Sequence, residues 1–290
     1  MSEFLTTKEL ADLLRLKERK VYDLAASGEV PCTRATGKLL FPRQAVMSWL
    51  QASGLPGEPS PKSRPKVFLG SHDPLLDWAV RDSQCGLATR FDSSEEGLER
   101  FESGQGVATG LHLLDPATDS WNITEISNRF VGKPVVLIRW ATRKRGIVFE
   151  KASNTKITSV RDLARCRVVP RQSGAGAQKV LSHVLETSGL LSADLTLTEP
   201  AGSETDAALA IREGRADATL GLANVAFQFN LDFLPLIDEA FDLLIDRRAW
   251  FEPEFQSLLR LVQSARFRER AGSLPGYDVS ECGTVLFNGA

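Results

Sequence analysis

Within residues 168–185, VVPRQSGAGAQKVLSHVL, a strand pattern is followed by a glycine-bearing turn and then by a helix pattern. Val168 and Val169 are typical of the end of a buried strand, and apolar residues after Ala177 recur at helical spacing. Such a turn places unpaired backbone N–H groups at the positive end of a helix dipole, where an anion is stabilised. The stretch therefore predicts a strand–turn–helix unit with an anion-binding site at its turn.

The turn supplies the first group of candidate ligand-binding residues. We expect Arg171 to grip an anion with two hydrogen bonds, and Ser173 to cap the helix. The alternative is that the glycines only form a tight connection and that Arg171 is a solvated charge, since short glycine motifs often occur without a ligand. The candidates here are Arg171, Gln172, Ser173, Gly174, Ala175 and Gly176.

The composition excludes several classes of protein. The chain has 290 residues, enough for two or three domains, and its 42% apolar and 25% charged residues are ordinary for a globular protein. No apolar run is long enough for a membrane span, and the first residues lack the pattern of a signal peptide, so we expect a cytoplasmic location. The four cysteines and three histidines are scattered. We therefore expect no metal and no cofactor.

Residues 1–52 form a pattern of their own. Helical spacing over residues 8–14 and 18–27 is separated by a tight break, and Gly28 is a typical helix stop. We predict a helix-turn-helix with Thr7 as the first cap, a β-hairpin wing with its turn at residues 35–38, and a third helix over residues 43–51.

This segment resembles the excisionase-type, MerR-like winged helix-turn-helix. The family pattern is matched at Glu9, Ala11, Leu14, Val21, Tyr22, Gly28, Pro31, Gly37, Phe41, Val46, Trp49 and Leu50. The resemblance implies binding of double-stranded DNA. Because the net charge of residues 1–52 is small, we expect a homodimer or higher oligomer to supply the affinity. The alternative is a solvated face on a small helical domain, because residues 1–52 contain eight basic and six acidic side chains. The candidate DNA-binding residues are Lys17, Arg19, Lys20 and Tyr22 on the recognition helix, and Arg34 and Lys38 on the wing.

Residues 53–66 are rich in Pro, Gly and Ser and are predicted to be a linker. From residue 67, strands alternate with helices, which indicates a parallel α/β sheet with ligands at its carboxyl edge. Separate strands are predicted over residues 134–140, 146–150, 233–237 and 241–245. We interpret the basic run of Arg139, Arg143, Lys144 and Arg145 between two of them as a solvated face, and a ligand clamp near the hinge is the alternative. Polar candidates at the other strand ends are Ser71, His72, Asp73, Ser93, Ser94 and His112.

Residues 67–259 resemble the periplasmic-binding-protein-like domain that is found behind a helix-turn-helix and fused to molybdenum-cofactor enzymes. That domain is kin to the effector domain of LysR-type regulators. The resemblance lies in the turn at residues 169–178, the HLLD at 112–115 and the GRADATLG at 214–221. It implies two lobes with a small ligand between them, within a domain over residues 67–290. Lobe one would cover about 67–140 and 241–290, and lobe two about 141–240.

The sequence departs from that family at two turns. Ala177 and Gln178 replace a threonine and an arginine, while residues 91–94 read Phe-Asp-Ser-Ser in place of Ser-Thr-Gly-Ser. One hydroxyl and one cation are lost, and a carboxylate and an aromatic ring are added. These departures leave open a ligand other than a simple tetrahedral oxyanion.

The patterns together predict a one-component transcription regulator rather than an enzyme. It would bind operator DNA and sense a small polar, anionic molecule, and the resemblance makes molybdate, tungstate or a related cofactor species our hypothesis for that ligand. The alternatives are an enzyme or a ligand carrier on the same two-lobed fold, linked to molybdenum-cofactor metabolism, and an architectural DNA-binding protein. We predict no catalytic residues, because no nucleophile or acid–base set converges in the sequence.

Overall fold

The structure, a computed structural model, describes residues 3–35, 37–52, 63–151 and 156–289. Residues 53–62 of the predicted linker lie outside this description. The chain divides into two units, Met1–Ser63 and Arg64–Ala290. Within the described residues, no helix has the length and apolar character needed to cross a bilayer.

The N-terminal unit has the predicted helix-turn-helix and hairpin. Its elements are β1 (Phe4–Thr6), α1 (Thr7–Leu14), α2 (Glu18–Ala26), β2 (Thr33–Ala35), β3 (Lys38–Pro42) and α3 (Arg43–Ala52). The strands form an antiparallel sheet in the order β1-β3-β2. Apolar side chains from each helix and from the sheet pack into one core, which contains Leu5, Leu10, Val21, Phe41 and Val46.

Caps fix where the helices of this unit begin and end. The predicted cap Thr7 is wrong by one residue: Thr6 caps α1, and its Oγ1 accepts from the Glu9 N–H at 3.3 Å. The Glu9 carboxylate in turn accepts from the Thr6 N–H at 2.7 Å, which completes a capping box. At the end of α2, Gly28 has a φ of +73°, which glycine adopts without strain, so the predicted helix stop is confirmed.

The C-terminal unit contains the remaining elements. Its strands are β4 (Val67–Ser71), β5 (Ala88–Asp92), β6 (Ala108–Leu111), β7 (Leu114–Asp115), β8 (Ser120–Trp121), β9 (Val135–Phe149), β10 (Arg167–Val169), β11 (Thr196–Leu197), β12 (Ala218–Leu222), β13 (Asp232–Asp246), β14 (Tyr277–Asp278) and β15 (Val285–Asn288). Its α-helices are α4 (Pro74–Asp82), α5 (Ser94–Glu102), α6 (Ile123–Arg129), α7 (Gly176–Thr187), α8 (Glu204–Arg212), α9 (Ala223–Gln228), α10 (Arg247–Phe251), α11 (Pro253–Val262) and α12 (Ala265–Gly272). Short 3₁₀ helices cover Val160–Arg165 and Ser192–Asp194.

One sheet runs through the C-terminal unit in the order β11-β10-β12-β9-β13-β6-β4-β5. Strands pair in parallel on each side of its centre, β10 with β11 and β12, and β4 with β5 and β6. The two central strands, β9 and β13, pair antiparallel with each other and with their outer neighbours. The predicted parallel sheet is therefore found on both sides, but its centre is antiparallel.

The centre of the sheet differs from the four separate strands that the sequence predicts. β9 and β13 are each continuous over 15 residues and pair from Val135 opposite Asp246 to Phe149 opposite Asp232. The four basic residues within 139–145 interrupt the apolar pattern of β9 without ending the strand. They remain within the sheet because neighbouring strands and helices supply opposite charges.

The apolar cores lie on the two sides of this centre. Two clusters are built mainly from residues 67–141 and 241–287, and two others mainly from residues 147–237. The fold is thus mixed α/β, with separate apolar cores on the two sides of the sheet's centre, as expected for two lobes. Lobe one and lobe two denote the ranges predicted from the sequence, and their limits remain a prediction.

A cluster of buried charges lies between the cores. Arg143 Nη1 is 2.9 Å from Asp73 Oδ2, and Arg143 Nη2 also pairs with Glu239. Arg145 Nε is 2.5 Å from Glu239 Oε2, and Arg145 Nη2 is 2.7 Å from Glu204 Oε1. The interpretation of this basic run as a solvated face is wrong for Arg143 and Arg145, since both are at most 1% exposed. Side chains alternate along β9, so Arg143 and Arg145 both face the interior. The carboxylates of Asp73, Glu204 and Glu239 pair with them there.

Replacing Glu239 by Gln should lower the free energy of unfolding by about 3–5 kcal/mol, because two buried guanidiniums lose their shared counter-charge. Denaturant unfolding measures this loss. The matched control is Asp238→Asn, next to it on β13, where an exposed pair with Lys144 should contribute less than about 1 kcal/mol. Equal losses in the two variants would contradict the account.

The loss of unfolding free energy in Glu239→Gln should depend on pH. Burial alone would raise the pKa of Glu239, but Arg143 and Arg145 hold it well below the ordinary value. A carboxyl whose pKa is lower in the folded state stabilises the fold above its unfolded pKa of about 4.3, and this contribution disappears as the pH falls through the folded value. The difference between wild type and Glu239→Gln should therefore shrink in acid.

Candidate functional site

A cavity of about 850 Å³ lies between the two lobes, and residues of both lobes line it. Its walls contain the first turns of five helices, because strands of both lobes lead into helices at this edge of the sheet. The contributing first-turn residues include Pro74 of α4, Glu95 and Glu96 of α5, Gly176 and Ala177 of α7, Glu204 and Thr205 of α8, and Asn224 of α9. The arrangement directs several helix dipoles at one enclosed space.

The turn before α7 forms much of the lobe-two wall. All six of its predicted residues, Arg171 to Gly176, line the cavity. The predicted cap is wrong: Ala175, not Ser173, occupies the N-cap position, and no side chain caps the helix. The amides of Gly176 and Ala177 have no backbone acceptor within the described residues. Two donors therefore remain available at the start of α7.

Arg171 is held against the wall by backbone carbonyls. Its Nε donates to the Ala201 oxygen at 3.1 Å, and its Nη2 donates to the Gly202 oxygen at 2.9 Å. Gln178 accepts from the Arg171 backbone N–H at 2.8 Å, so the residue that replaces a family arginine fixes the turn. Burial lowers the pKa of Arg171, although Glu204 opposes the shift. Arg171 was predicted to bind an anion through two donors. Its Nε and Nη2 atoms already donate to backbone carbonyls, so fewer of its donors are free for a ligand.

Only some of the candidate ligand-binding residues of lobe one line the cavity. Ser71, His72, Ser93 and His112 line it. Ser94 is fully buried and does not: its Oγ lies 2.8 Å from Ser71 Oγ and accepts from the His112 N–H at 3.1 Å. Ser93 caps α5 by accepting from the Glu96 N–H at 3.2 Å. Ser94 thus supports the wall rather than forming its surface.

Asp73 is also absent from the cavity surface. It is fully buried as the N-cap of α4, and its Oδ1 accepts from Leu76 N–H at 2.8 Å and Trp140 Nε1 at 3.1 Å. Its Oδ2 accepts from Arg143 Nη1 at 2.9 Å and Tyr277 Oη at 2.6 Å. Both oxygens have two donors each, so the predicted contact with a ligand is replaced by a role in positioning Arg143.

Arg143 and Asn224 are among the cavity-lining residues that were not predicted as ligand-binding residues from the sequence. Arg143 lines it at 1% exposure, its guanidinium carbon lies 4.3 Å from the Phe241 ring centre, and its Nε has no acceptor within the described residues. Asn224 lines it at 6% exposure, and its Oδ1 has no donor there. The alternation of Arg143 and Arg145 would have indicated buried arginines only if the segment had been assigned to one strand.

His112 joins the two walls. Burial lowers the pKa of His112, although Glu239 opposes the shift, and the Nδ1 atom lies 3.0 Å from Glu239 Oε2. The ionised carboxylate favours the tautomer with the proton on Nδ1, which leaves Nε2 as an acceptor. Gly176 of the lobe-two wall lies directly against this ring, since a Cβ added to Gly176 would lie 2.8 Å from His112 Cε1. Helix α7 of lobe two therefore starts against a histidine of lobe one.

The candidate DNA-binding residues belong to the N-terminal unit. Lys17 is the N-cap of α2, Arg19, Lys20 and Tyr22 lie on that helix, and Arg34 and Lys38 lie on the hairpin strands. All six are exposed. No ion pair involves the five basic ones in the part of the chain that the structure describes.

Gly176→Ala should lower the free energy of unfolding by about 1–3 kcal/mol, because the new methyl group would meet the His112 ring and backbone oxygen, and neither α7 nor the segment after β6 can move freely. Gly174→Ala is the control in the same turn, since its Cβ would meet nothing within 4 Å, and its effect should stay within about 0.5 kcal/mol. Thermal unfolding measures both. Unchanged stability of Gly176→Ala would show that the contact with His112 does not form in solution.

Two family models match separate parts of the chain. A helix-turn-helix domain model matches residues 4–54, and a PBP superfamily domain model matches residues 77–263. The first covers the helix-turn-helix and its hairpin. The second covers most of the two-lobed unit, including the cavity-lining residues from Phe91 to Gln228.

Several known proteins are similar to this chain. The uncharacterized protein YvgK of Bacillus subtilis (strain 168) is 25% identical over 300 residues, which cover 97% of each chain. An uncharacterized protein from the 5′ region of a 2Fe-2S ferredoxin gene of Clostridium pasteurianum is 32% identical over 77 residues, 26% of this chain and 68% of that protein. A crystal structure of a mutant of ArgBP from T. maritima has a TM-score of 0.48 at 16% identity, over 72% of this chain and 93% of that one.

Proposed function

The chain belongs to the PBP superfamily domain family and carries a helix-turn-helix domain at its N-terminus, and from this premise we propose that it is a one-component transcription regulator. The architecture fits a DNA-binding, ligand-responsive regulator rather than an enzyme. The observation that carries the proposal is the presence, in one chain, of an exposed basic helix-turn-helix and a cavity lined by unpartnered polar groups.

The N-terminal unit is the DNA-reading part. We propose that α2 enters the major groove, with Lys17, Arg19 and Lys20 on phosphates and base edges, and that the hairpin places Arg34 and Lys38 on the backbone. One unit with so few basic residues binds weakly, because affinity for duplex DNA grows with the number of phosphates neutralised. A homodimer or higher oligomer would double these contacts.

The cavity between the lobes is the sensing part. An anionic group of the ligand would lie at the first turn of α7, where the amides of Gly176 and Ala177 point outward from the helix, near Arg143. A ligand that binds one conformation of the lobes better than another shifts their population. The resulting change in DNA affinity must equal the change in ligand affinity that DNA causes.

The finer hypothesis concerns the identity of the ligand. The sequence resemblance points to molybdate, tungstate or a related cofactor species. The first-turn amides support an anionic group in general, because N–H donors at a helix N-terminus stabilise any negative charge.

Lys20→Ala should weaken binding to a duplex selected from a random library by roughly tenfold and reduce the slope of log affinity against log salt by about one. The physical reason is the loss of one phosphate contact. Lys8→Ala removes the same charge from the other helix of the motif and serves as the matched control, with little expected effect. A gel shift or fluorescence anisotropy measures the affinity. Equal losses, or failure to select any duplex, would contradict the DNA-binding assignment.

A further inference from the structure

We propose that the ligand of the interlobe cavity is a small organic zwitterion, with an anionic group and a protonated amine, rather than an inorganic oxyanion. This inference rests on the proposed function, since it takes the cavity as the sensing site. It goes further by naming the class of molecule that the cavity accepts.

The charges around the cavity disfavour a ligand that is only anionic. Both lining guanidiniums are already engaged, Arg143 by two carboxylates and Arg171 by two carbonyls. Glu96 and Glu99 have no cationic partner within the described residues, and both are exposed on the α5 side. The other three lining carboxylates are paired: Asp92 with Arg90 and Arg100, Glu95 with Lys179, and Glu204 with Arg145. A ligand with a positive group would compensate the two charges of Glu96 and Glu99.

The unpartnered donors of the cavity suit the anionic end of such a ligand. Arg143 Nε is buried and has no acceptor, and the first amides of α7 have none within the described residues. An N–H donor beside a carboxylate or phosphate forms a charge-assisted hydrogen bond, which is stronger than a neutral one. These donors alone would also fit molybdate or tungstate.

An unpartnered acceptor distinguishes the two classes of ligand. Asn224 Oδ1 is buried in the cavity wall and has no donor within the described residues. A fully ionised oxyanion offers oxygen acceptors and no N–H group, so it would leave this oxygen unsatisfied. A buried acceptor that stays unpaired costs roughly tenfold in affinity. An ammonium group carries three donors and can satisfy it.

The size of the cavity agrees with an organic ligand. Its volume of about 850 Å³ falls within the range of roughly 300–1,000 Å³ that holds organic ligands and cofactors. A four-oxygen anion would occupy only a small part of this volume. A molecule with separated charges can contact both walls and so can favour one arrangement of the lobes.

Isothermal titration calorimetry of the full chain tests the proposal with two panels of probes. One panel contains the protein amino acids, β-alanine, γ-aminobutyrate, ε-aminocaproate and phosphoethanolamine, and the other contains molybdate, tungstate, sulfate and phosphate. We expect at least one zwitterion to bind, its N-acetyl derivative to bind at least about tenfold more weakly, and the oxyanions to give no heat.

The outcomes separate this inference from the proposed function. Binding of an oxyanion without any zwitterion overturns the inference and leaves the proposed regulator intact. Binding of no probe in either panel overturns the inference and also the sensing half of the proposal, while selection of a DNA duplex tests the other half independently.

Variants of Asn224 give the sign of the ligand charge at this wall. Asn224→Leu should weaken the bound zwitterion by about tenfold, because a ligand N–H loses its acceptor. Asn224→Asp should preserve or strengthen it, whereas it would weaken an oxyanion. Asn128→Leu and Asn128→Asp, on α6 outside the cavity lining, are the matched controls, and thermal unfolding checks that each variant folds. Unchanged affinity in Asn224→Leu, or a loss in Asn224→Asp equal to that in Asn224→Leu, would overturn the assignment.

Discussion

Glu239 lies between two buried guanidiniums where the long central strands pass from one lobe to the other. Arg143 and Arg145 alternate on the neighbouring strand and share its carboxylate. The same arginines reach Asp73 at the start of α4 and Glu204 at the start of α8. Charges buried together in a low dielectric must stay paired, so one cluster holds the cavity-facing helices of both lobes in place. The position of the cavity follows from this constraint.

The sequence predicts the fold well where a local pattern decides the structure. The helix-turn-helix, the hairpin and the strand–turn–helix at α7 follow from helical spacing, turn residues and the stop at Gly28. The continuity of β9 and β13 could not be predicted, because their charged middle resembles a break until the partner strand supplies the opposite charges. Arg143 was missed for the same reason. Asp73 was proposed as a ligand contact because a polar residue at a strand end has the same pattern whether it faces a ligand or caps a helix.

The cavity contains two kinds of unsatisfied polar group. Donors at Arg143 and at the start of α7 can bind a negative group, and the acceptor at Asn224 can bind a donor. The contact of Gly176 with His112 shows how closely lobe two approaches lobe one at this point. A ligand that satisfies both kinds of group and also contacts lobe one would favour one arrangement of the lobes, which is the population shift that a regulator needs.

The central claim is that occupation of the interlobe cavity and binding of DNA are coupled in one molecule. Fluorescence anisotropy of the selected duplex with the full chain, repeated in the presence of each saturating probe from the two panels, tests this coupling directly. The account predicts that at least one probe that binds the cavity changes the DNA affinity by about fivefold or more, and that the duplex changes the affinity for that probe by the same factor. A probe that binds the cavity while the DNA affinity stays the same throughout would contradict it.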